Sequence, residues 1–194
     1  MNKHSAIIIG GSPFVNTVDL PRINTDKFDI IAINRPILDV PVKYLIAHDS
    51  DFRQCHNQTE VKTIIEQGLN PVFTAPKTEF IHETTGWKWK FNIISHEDKL
   101  LGFCLYTCSS AVNFAYLKGY KNVYFIGVDL EENNQPFNHW HGVTNLVPVP
   151  DRCARQCKEY MYQYKKWLNL YQCNPNVKWD CEYYPVEKLY NHQQ

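Results

Sequence analysis

Residues 107 to 129 limit the possible folds of this chain more than any other stretch, because they read as a helix followed at once by a buried strand. Small polar residues open the predicted helix, apolar residues at helical spacing follow, and Gly119 stands where a helix-ending glycine is common. Residues 123–128 are nearly all apolar, which is typical of a parallel strand covered on both faces. A helix that leads directly into such a strand predicts an α/β fold.

Three earlier apolar runs, at residues 6–9, 29–34 and 42–47, read as further strands of the same sheet. Each run delivers polar residues where it ends, and the carboxyl ends of parallel strands meet at one edge of a sheet. We therefore predict a single Rossmann-like domain spanning residues 1–194, with a mostly parallel sheet, helices on both faces and a ligand site at this edge. Gly10, Gly11, Ser12 and Pro13 follow the first run. Asn34 ends the second run and Arg35 follows it, and His48 and Asp49 follow the third.

The chemistry of these residue types favours an anionic ligand. Glycines at positions 10 and 11 let the backbone turn sharply and approach a ligand closely. Thr107, Cys108 and Ser109 open the predicted helix, where free backbone N–H groups and the helix dipole attract an anion. The sequence from Gly10 to Pro13 is neither a dinucleotide fingerprint nor a P-loop, so it predicts neither of those two chemistries.

Two histidines, His139 and His141, lie in a polar loop at residues 130–150 that follows the strand ending at Asp129. Such a loop can act as a lid, and an imidazole that titrates near neutral pH suits a general base. The same histidines with Asp129 or Glu131 are also compatible with a loose metal site, or with exposed residues that have no chemistry. We predict the lid with a catalytic base, with Asp129 and His141 beside it, and no metal.

Elsewhere the pattern predicts a short helix at residues 60–68, a strand at 71–74, a crossover helix at 151–170 and a last strand at 177–183. Residues 87–91 alternate aromatic residues with lysines, as a strand would. Its lysines suit either an edge strand that resists aggregation or a lip that binds an acceptor substrate.

Charge and cysteine usage exclude several classes of protein. Lys plus Arg and Asp plus Glu both number 20, so no net charge draws the chain to nucleic acid or to an anionic membrane. No apolar run approaches the 18 residues of a membrane span. The seven cysteines are odd in number and never form a C-x-x-C pair, which predicts reduced thiols and a cytoplasmic location. We interpret the pairs Cys104/Cys108 and Cys153/Cys157, each able to share one helical face, as structural.

The order of these motifs resembles the bacterial sialyltransferases of the Campylobacter type, a glycosyltransferase family 42-like group, with wider similarity to eukaryotic-type sialyltransferases. Gly10-Gly11-Ser12-Pro13 matches the family's glycine-rich loop, and Asn34 matches the asparagine that ends its second strand. Thr107-Cys108-Ser109 matches its T-S-G helix start, and residues 117–129 match its L-G-Y-K-x-I-Y-x-x-G-x-D segment with Lys118 inserted. His139-Trp140-His141-Gly142 matches its H-Y-x-G segment. Glu131 and Phe137 stand near the positions of the family's two phosphate-binding tyrosines, and Gly11 and His48 near two of its asparagines.

This resemblance implies a GT-A variant fold and an inverting, metal-independent glycosyltransferase that requires no cofactor. Its donor substrate would be a nucleotide-activated sugar, with CMP as the favoured nucleotide. His139 would take the proton from an acceptor hydroxyl on a glycan, a lipid-linked molecule or a nucleic acid. The resemblance extends the nucleotide site to all the polar residues after the strands, to Thr107, Cys108 and Ser109, and to Glu131.

Two other functions remain compatible with the sequence. The glycine-proline loop is shared with pterin diphosphokinases, which makes a phosphotransferase one alternative. The missing phosphate-binding tyrosines make a non-catalytic protein that binds or sequesters nucleotides the other. The spacing of Asp49 and Asp51 matches a metal-binding D-x-D motif and is a rival to metal-free chemistry.

Overall fold

The computed structural model describes part of the chain, and every structural statement below concerns that part. The described residues are 4–33, 39–47, 70–73, 79–81, 88–90, 95–96, 99–100, 107–130, 137–138, 144–145 and 151–191. The predicted helix at residues 60–68 lies outside them.

A seven-stranded sheet in which every pairing is parallel forms the centre of the protein. Its strands are β1 (Ser5–Ile9), β2 (Phe28–Ile33), β3 (Tyr44–Ala47), β4 (Asn70–Phe73), β9 (Asn122–Ile126), β12 (Asn169–Gln172) and β13 (Glu182–Tyr183), in the spatial order β13-β12-β9-β1-β2-β3-β4. Three antiparallel pairs accompany it: β5 (Glu79–Ile81) with β6 (Lys88–Lys90), β7 (Ser95–His96) with β8 (Lys99–Leu100), and β10 (Phe137–Asn138) with β11 (Thr144–Asn145). This confirms the predicted α/β class and parallel sheet.

The two faces of the sheet are covered by different kinds of helix. Two α-helices, α1 (Thr107–Leu117) and α2 (Asp151–Tyr162), pack on the face that presents Ala6 and Ile8 of β1. Short 3-10 helices cover the opposite face, where Ile7 and Ile9 point. They span Pro13–Thr17, Leu20–Arg22 and Val186–Leu189, and a further one, Gln163–Lys166, extends α2. Because the side chains of a strand alternate between faces, β1 is buried almost completely on both sides.

The end of α1 fixes the direction of the chain into β9. Gly119 has φ of 82°, the Gly119 N–H donates to the Tyr116 carbonyl, and the Tyr120 N–H donates to the Ala115 carbonyl. This is a Schellman turn, and it confirms the predicted helix-ending role of Gly119. Because β9 starts two residues after Tyr120, α1 ends at the amino edge of the sheet, and its first residue, Thr107, lies toward the carboxyl edge.

The predicted end of the chain needs correction. The helix expected at residues 151–170 ends at Tyr162 and is followed by the 3-10 turn, and Leu170 belongs to β12 rather than to the helix. Leu168 and Leu170 are buried against the α-helical face. The predicted last strand at residues 177–183 shrinks to Glu182–Tyr183.

At the amino edge, a buried carboxylate is fully engaged. Asp29 is 3% exposed and its Oδ2 atom accepts hydrogen bonds from Lys43 Nζ at 2.7 Å and from the Tyr120 hydroxyl at 2.6 Å. The hydrogen bond to Asp29 raises the pKa of Lys43, and burial, assisted by Asp29, raises the pKa of Tyr120. Both groups therefore remain protonated donors, and a buried charge with two donors stabilises the strand that carries it.

We expect Tyr120→Phe to lower the free energy of unfolding by about 1–3 kcal/mol, because it removes one of the two donors to buried Asp29. Urea unfolding at neutral pH measures the effect. The control is Tyr183→Phe, at a side chain that is 49% exposed, which should change stability by less than about 0.5 kcal/mol. Equal effects of the two substitutions would contradict the role assigned to Tyr120.

Candidate functional site

The order of strands in the sheet reverses between β1 and β9. From β1 the chain builds outward through β2, β3 and β4, whereas β9, β12 and β13 extend the sheet in the other direction. In open parallel sheets, the carboxyl ends of the two strands at such a reversal leave a crevice where ligands bind. The segment Gly10–Pro13 follows β1, and the segment Gly127–Leu130, which contains Asp129, follows β9. The predicted site residues of both segments therefore lie at the strand reversal.

The two chain segments that leave β1 and β9 are in direct backbone contact. The Gly10 N–H donates to the Ile126 carbonyl at 2.8 Å, and the Ser12 N–H donates to the Gly127 carbonyl at 2.9 Å. A Cβ atom at Gly10 would overlap the Gly127 carbonyl oxygen, and Gly127 itself has φ of 67° with the Val15 side chain against its Cα. Glycine is therefore required at both positions for the segments to approach each other.

Ser12 links the two segments through its side chain. Its hydroxyl donates to Asp129 Oδ2, across 117 positions of sequence, and accepts from the Phe14 N–H at 3.1 Å. The second bond caps the 3-10 helix Pro13–Thr17, in which Pro13 takes the first position because it has no N–H to satisfy. The sequence predicted these residues at one edge, and the structure brings Gly10, Ser12 and Asp129 together.

Within the described part of the chain, one oxygen of the Asp129 carboxylate is hydrogen-bonded and the other is not. Its Oδ2 atom binds Ser12, whereas its Oδ1 atom is buried and makes no hydrogen bond to any residue that the structure describes. Burial raises the pKa of Asp129, and the neighbouring Ser12 and Asn174 side chains partly oppose that rise. The free acceptor atom at the sheet reversal is the kind of group that accepts a hydrogen bond from a ligand.

The residues that open α1 are buried. Thr107 and Cys108 are each 7% exposed and Ser109 is 1% exposed. The Cys108 sulfur lies 2.9 Å from the sulfur of Cys157 in α2, and this contact together with burial raises the pKa of Cys108. The thiol therefore stays neutral and packs between the helices. The predicted pairs Cys104/Cys108 and Cys153/Cys157 stay predictions, because Cys104 and the side chain of Cys153 lie outside the described residues. The described contact joins Cys108 to Cys157 in the other helix.

The remaining predicted site residues lie outside the part of the chain that the structure describes. The short strands β10 and β11 flank His139 and His141 in the sequence and pair antiparallel, Phe137 with Asn145 and Asn138 with Thr144. The roles assigned to the undescribed residues stay predictions. These residues are Asn34, Arg35, His48, Asp49, Glu131, His139 and His141.

The structure adds three residues to the site that the sequence analysis did not identify: Gln172, Asn174 and Trp179. Gln172 ends β12, whereas Asn174 and Trp179 lie in the connection between β12 and β13. Gln172 and Trp179 donate to backbone carbonyls of the segment that leaves β9. Polar residues in a loop carry no periodic signal, so only the pairing of β12 with β9 reveals them.

The described residues contain neither a metal-ligand cluster nor a membrane-spanning helix. Among residues 4–33, 39–47, 107–130 and 151–191 and the short described strands, no three His, Cys, Asp or Glu side chains are grouped as metal ligands would be. Within the same ranges, none of the helices has the length and apolar character needed to cross a membrane.

Solved structures with the same fold are known. The chain aligns over 100% of its length with 89% of the sialyltransferase CstII from Campylobacter jejuni in complex with cytidine-5'-monophosphate, with a TM-score of 0.58 and 15% identity. It aligns over 100% of its length with 84% of the monofunctional alpha-2,3-sialyltransferase Cst-I from Campylobacter jejuni, with a TM-score of 0.56 and 13% identity. A complex of CstII with CMP-3FNeuAc gives a TM-score of 0.52 at 15% identity, over 100% of this chain and 90% of that one.

No protein-family model matches the sequence, and no curated protein matches it either. At these levels of identity, the structural similarity establishes a shared fold. It confirms at the level of the fold the resemblance to Campylobacter sialyltransferases that the motif order indicated.

We expect Gly10→Ala to lower the free energy of unfolding by at least about 3 kcal/mol, because its Cβ would overlap a carbonyl oxygen that Ser12 already fixes. Chemical denaturation measures the loss. The matched control is Gly119→Ala, where φ is also positive at 82° but nothing lies within 4 Å, so only the strain of about 1–2 kcal/mol applies. A loss at Gly10 no larger than the loss at Gly119 would show that the two segments are not in close contact.

We expect Asp129→Asn to raise the melting temperature at pH 7 by a few degrees. Burial raises the pKa of Asp129 in the folded state above the ordinary aspartate value of 3.8, so the folded state binds the proton more tightly than the unfolded state. The free energy of unfolding of the wild-type protein therefore falls as the pH rises above 3.8. The asparagine oxygen still accepts from Ser12 but carries no charge to desolvate.

The melting temperatures of the two proteins should converge below pH 3.8, where the aspartate is protonated in both states. A destabilised Asp129→Asn variant at pH 7, with the Ser12 contact retained, would contradict the assigned cause of the shift.

Proposed function

We propose that this protein is a glycosyltransferase that transfers a sugar from a CMP-activated donor to an acceptor hydroxyl. The observation that carries the proposal is the junction of β1 and β9, where Gly10, Ser12 and Asp129 meet at the strand reversal of a fold shared with a CMP-bound sialyltransferase.

In this proposal the nucleotide lies across the carboxyl ends of β1 and β9. Gly10 lets the segments that leave β1 and β9 pack directly against each other, which fixes Asp129 at the strand reversal, and Asp129 Oδ1 accepts a hydrogen bond from a hydroxyl of the nucleotide. The backbone N–H groups at the start of α1 contribute positive potential toward the phosphate. Asn34, Arg35, His48, Asp49 and Glu131 complete the predicted contacts.

The chemical step follows from the resemblance and from the properties of imidazole. His139 takes the proton of the acceptor hydroxyl while that oxygen forms a bond to the anomeric carbon of the sugar. The bond from the anomeric carbon to the phosphate oxygen breaks, its electron pair leaves with CMP, and the configuration inverts. Donors at the phosphate stabilise the charge that develops on the leaving group. The loop at residues 130–150, with His141, serves as the lid, and no metal participates.

The acceptor is proposed at the level of class. A glycan hydroxyl is the first candidate, in keeping with the resemblance to the Campylobacter sialyltransferases, whose fold this chain shares. A lipid-linked or nucleic-acid acceptor remains in the proposal as an alternative source of the hydroxyl. The pterin diphosphokinase alternative has no support in the fold similarity reported above, and the sequestering alternative is one outcome of the experiment below.

We expect the protein to bind CMP more tightly than UMP or AMP, with an affinity that EDTA does not change. Isothermal titration calorimetry measures binding, and release of CMP from a CMP-sugar measures turnover with or without an acceptor. His139→Ala should reduce turnover by at least about 100-fold and change CMP affinity by less than about 2-fold, since the base acts on the acceptor.

Three results separate the alternatives. A requirement for magnesium and ATP would replace the proposal with a phosphotransferase. CMP binding without turnover, unaffected by His139→Ala, would leave a nucleotide-binding protein. Absence of binding to all these nucleotides would reject the site itself.

A further inference from the structure

Five consecutive backbone carbonyls mark the place where the chain leaves β9, and all five accept hydrogen bonds. The first three bind backbone N–H groups of the neighbouring chain segments: Phe125 accepts from Cys173 at 3.1 Å, Ile126 from Gly10 at 2.8 Å, and Gly127 from Ser12 at 2.9 Å. These bonds extend the strand ladders on both sides of β9. They bring the β9 segment to the edge of the sheet, where regular pairing ends.

The last two carbonyls bind side chains, because β12 turns away after Cys173. Gln172 Nε2 donates to the Val128 carbonyl at 3.1 Å, and the Trp179 indole N–H donates to the Asp129 carbonyl at 2.8 Å. Both donors come from the end of β12 and from the connection that leads to β13. Side chains thus replace the missing strand for the two residues closest to the proposed ligand.

Each of these donors is itself fixed by further contacts. Gln172 is 2% exposed, and its Oε1 atom accepts from the Asn174 N–H at 3.1 Å. Asn174 is 6% exposed and its Oδ1 atom accepts from the Asn176 N–H at 3.0 Å. The Trp179 ring packs against Phe125 with centroids 5.1 Å apart. The connection therefore has a defined conformation before any ligand binds.

The segment that these donors hold is under local strain. Leu130 has φ of 48°, which costs about 1 kcal/mol or more for a residue with a Cβ atom. Asp129, the residue before it, carries the buried Oδ1 atom without a described partner. A strained residue and an unsatisfied acceptor side by side persist only where surrounding contacts impose them.

We propose that Trp179 and Gln172 are positioning residues, which hold the Asp129 carboxylate at the strand reversal in the orientation that receives the nucleotide. This inference rests on the proposed function and extends the site to the connection between β12 and β13, which touches Asp129 but not the reacting atoms. Removing the indole N–H frees the Asp129 carbonyl, lets the strain at Leu130 relax, and moves the carboxylate out of its buried position.

The test compares Trp179→Phe with Trp167→Phe. The first substitution keeps an aromatic ring near Phe125 and removes the N–H donor together with part of the indole volume. Trp167→Phe makes the same chemical change at a side chain that is 44% exposed. Gln172→Leu is the second variant, since it removes the other donor at similar volume. Urea unfolding identifies the conditions under which each variant is fully folded.

Two readouts separate positioning from a general structural role. The first is a double-mutant cycle on CMP affinity: Trp179→Phe should weaken binding by about 5- to 10-fold, and by less than about 2-fold when Asp129 is already replaced by asparagine. The second needs no ligand and follows the carboxyl carbon of Asp129 by NMR through a pH titration. Its pKa should move toward the ordinary aspartate value by at least about half a unit in Trp179→Phe and Gln172→Leu, but not in Trp167→Phe.

The described side chains that face Asp129 are Ser12, Asn174 and Trp179, none of which titrates in this range, so within the described part the shift reports burial and hydrogen bonding. An additive cycle together with an unchanged Asp129 titration overturns the inference. If the wild-type protein binds no CMP, the proposed function fails, and the titration alone then decides whether Trp179 and Gln172 hold Asp129.

Discussion

The backbone contact between the ends of β1 and β9 is the constraint on which the rest of this structure depends. Gly10 and Gly127 have no side chains there, so the two segments share hydrogen bonds and bring Ser12 against Asp129. The strand order reverses at the same place, and open parallel sheets bind ligands at such reversals. The two glycines therefore stand where a ligand site is expected.

The aspartates at the two edges of the sheet, Asp29 and Asp129, differ in how fully their carboxylates are hydrogen-bonded. At the amino edge, Asp29 accepts from Lys43 and Tyr120 and contributes to stability. At the carboxyl edge, Asp129 has one satisfied oxygen and one buried oxygen without a described partner, next to the strained Leu130. Proteins tolerate such unfavourable features at sites that bind ligands, because the remaining contacts hold them in place.

The sequence predicts what is encoded by local pattern and misses what depends on distant packing. Strands β1, β2, β3 and β9 and helix α1 were predicted because each is a clear apolar run with a polar or glycine end. The first two residues of strand β12 fall within the predicted helix 151–170, because a strand of four residues directly after a 3-10 turn is too short to show a period of two. The sequence predicts that Ser12 and Asp129 lie at the same edge of the sheet, but it does not predict the hydrogen bond between them. Trp179 was not anticipated, since nothing local marks an indole that binds a backbone carbonyl 50 positions away.

The central position of β1 has a consequence for how the chain is made. Its partner on one side, β2, begins 23 positions later, since Ser5 pairs with Phe28, whereas its partner on the other side pairs Ser5 with Asn122. During synthesis the innermost and most apolar strand thus has one exposed flank until well over half of the polypeptide has left the ribosome. Such a nascent chain exposes one side of an incomplete, apolar sheet until β9 has been synthesised, and pairing over this distance in sequence is intrinsically slow.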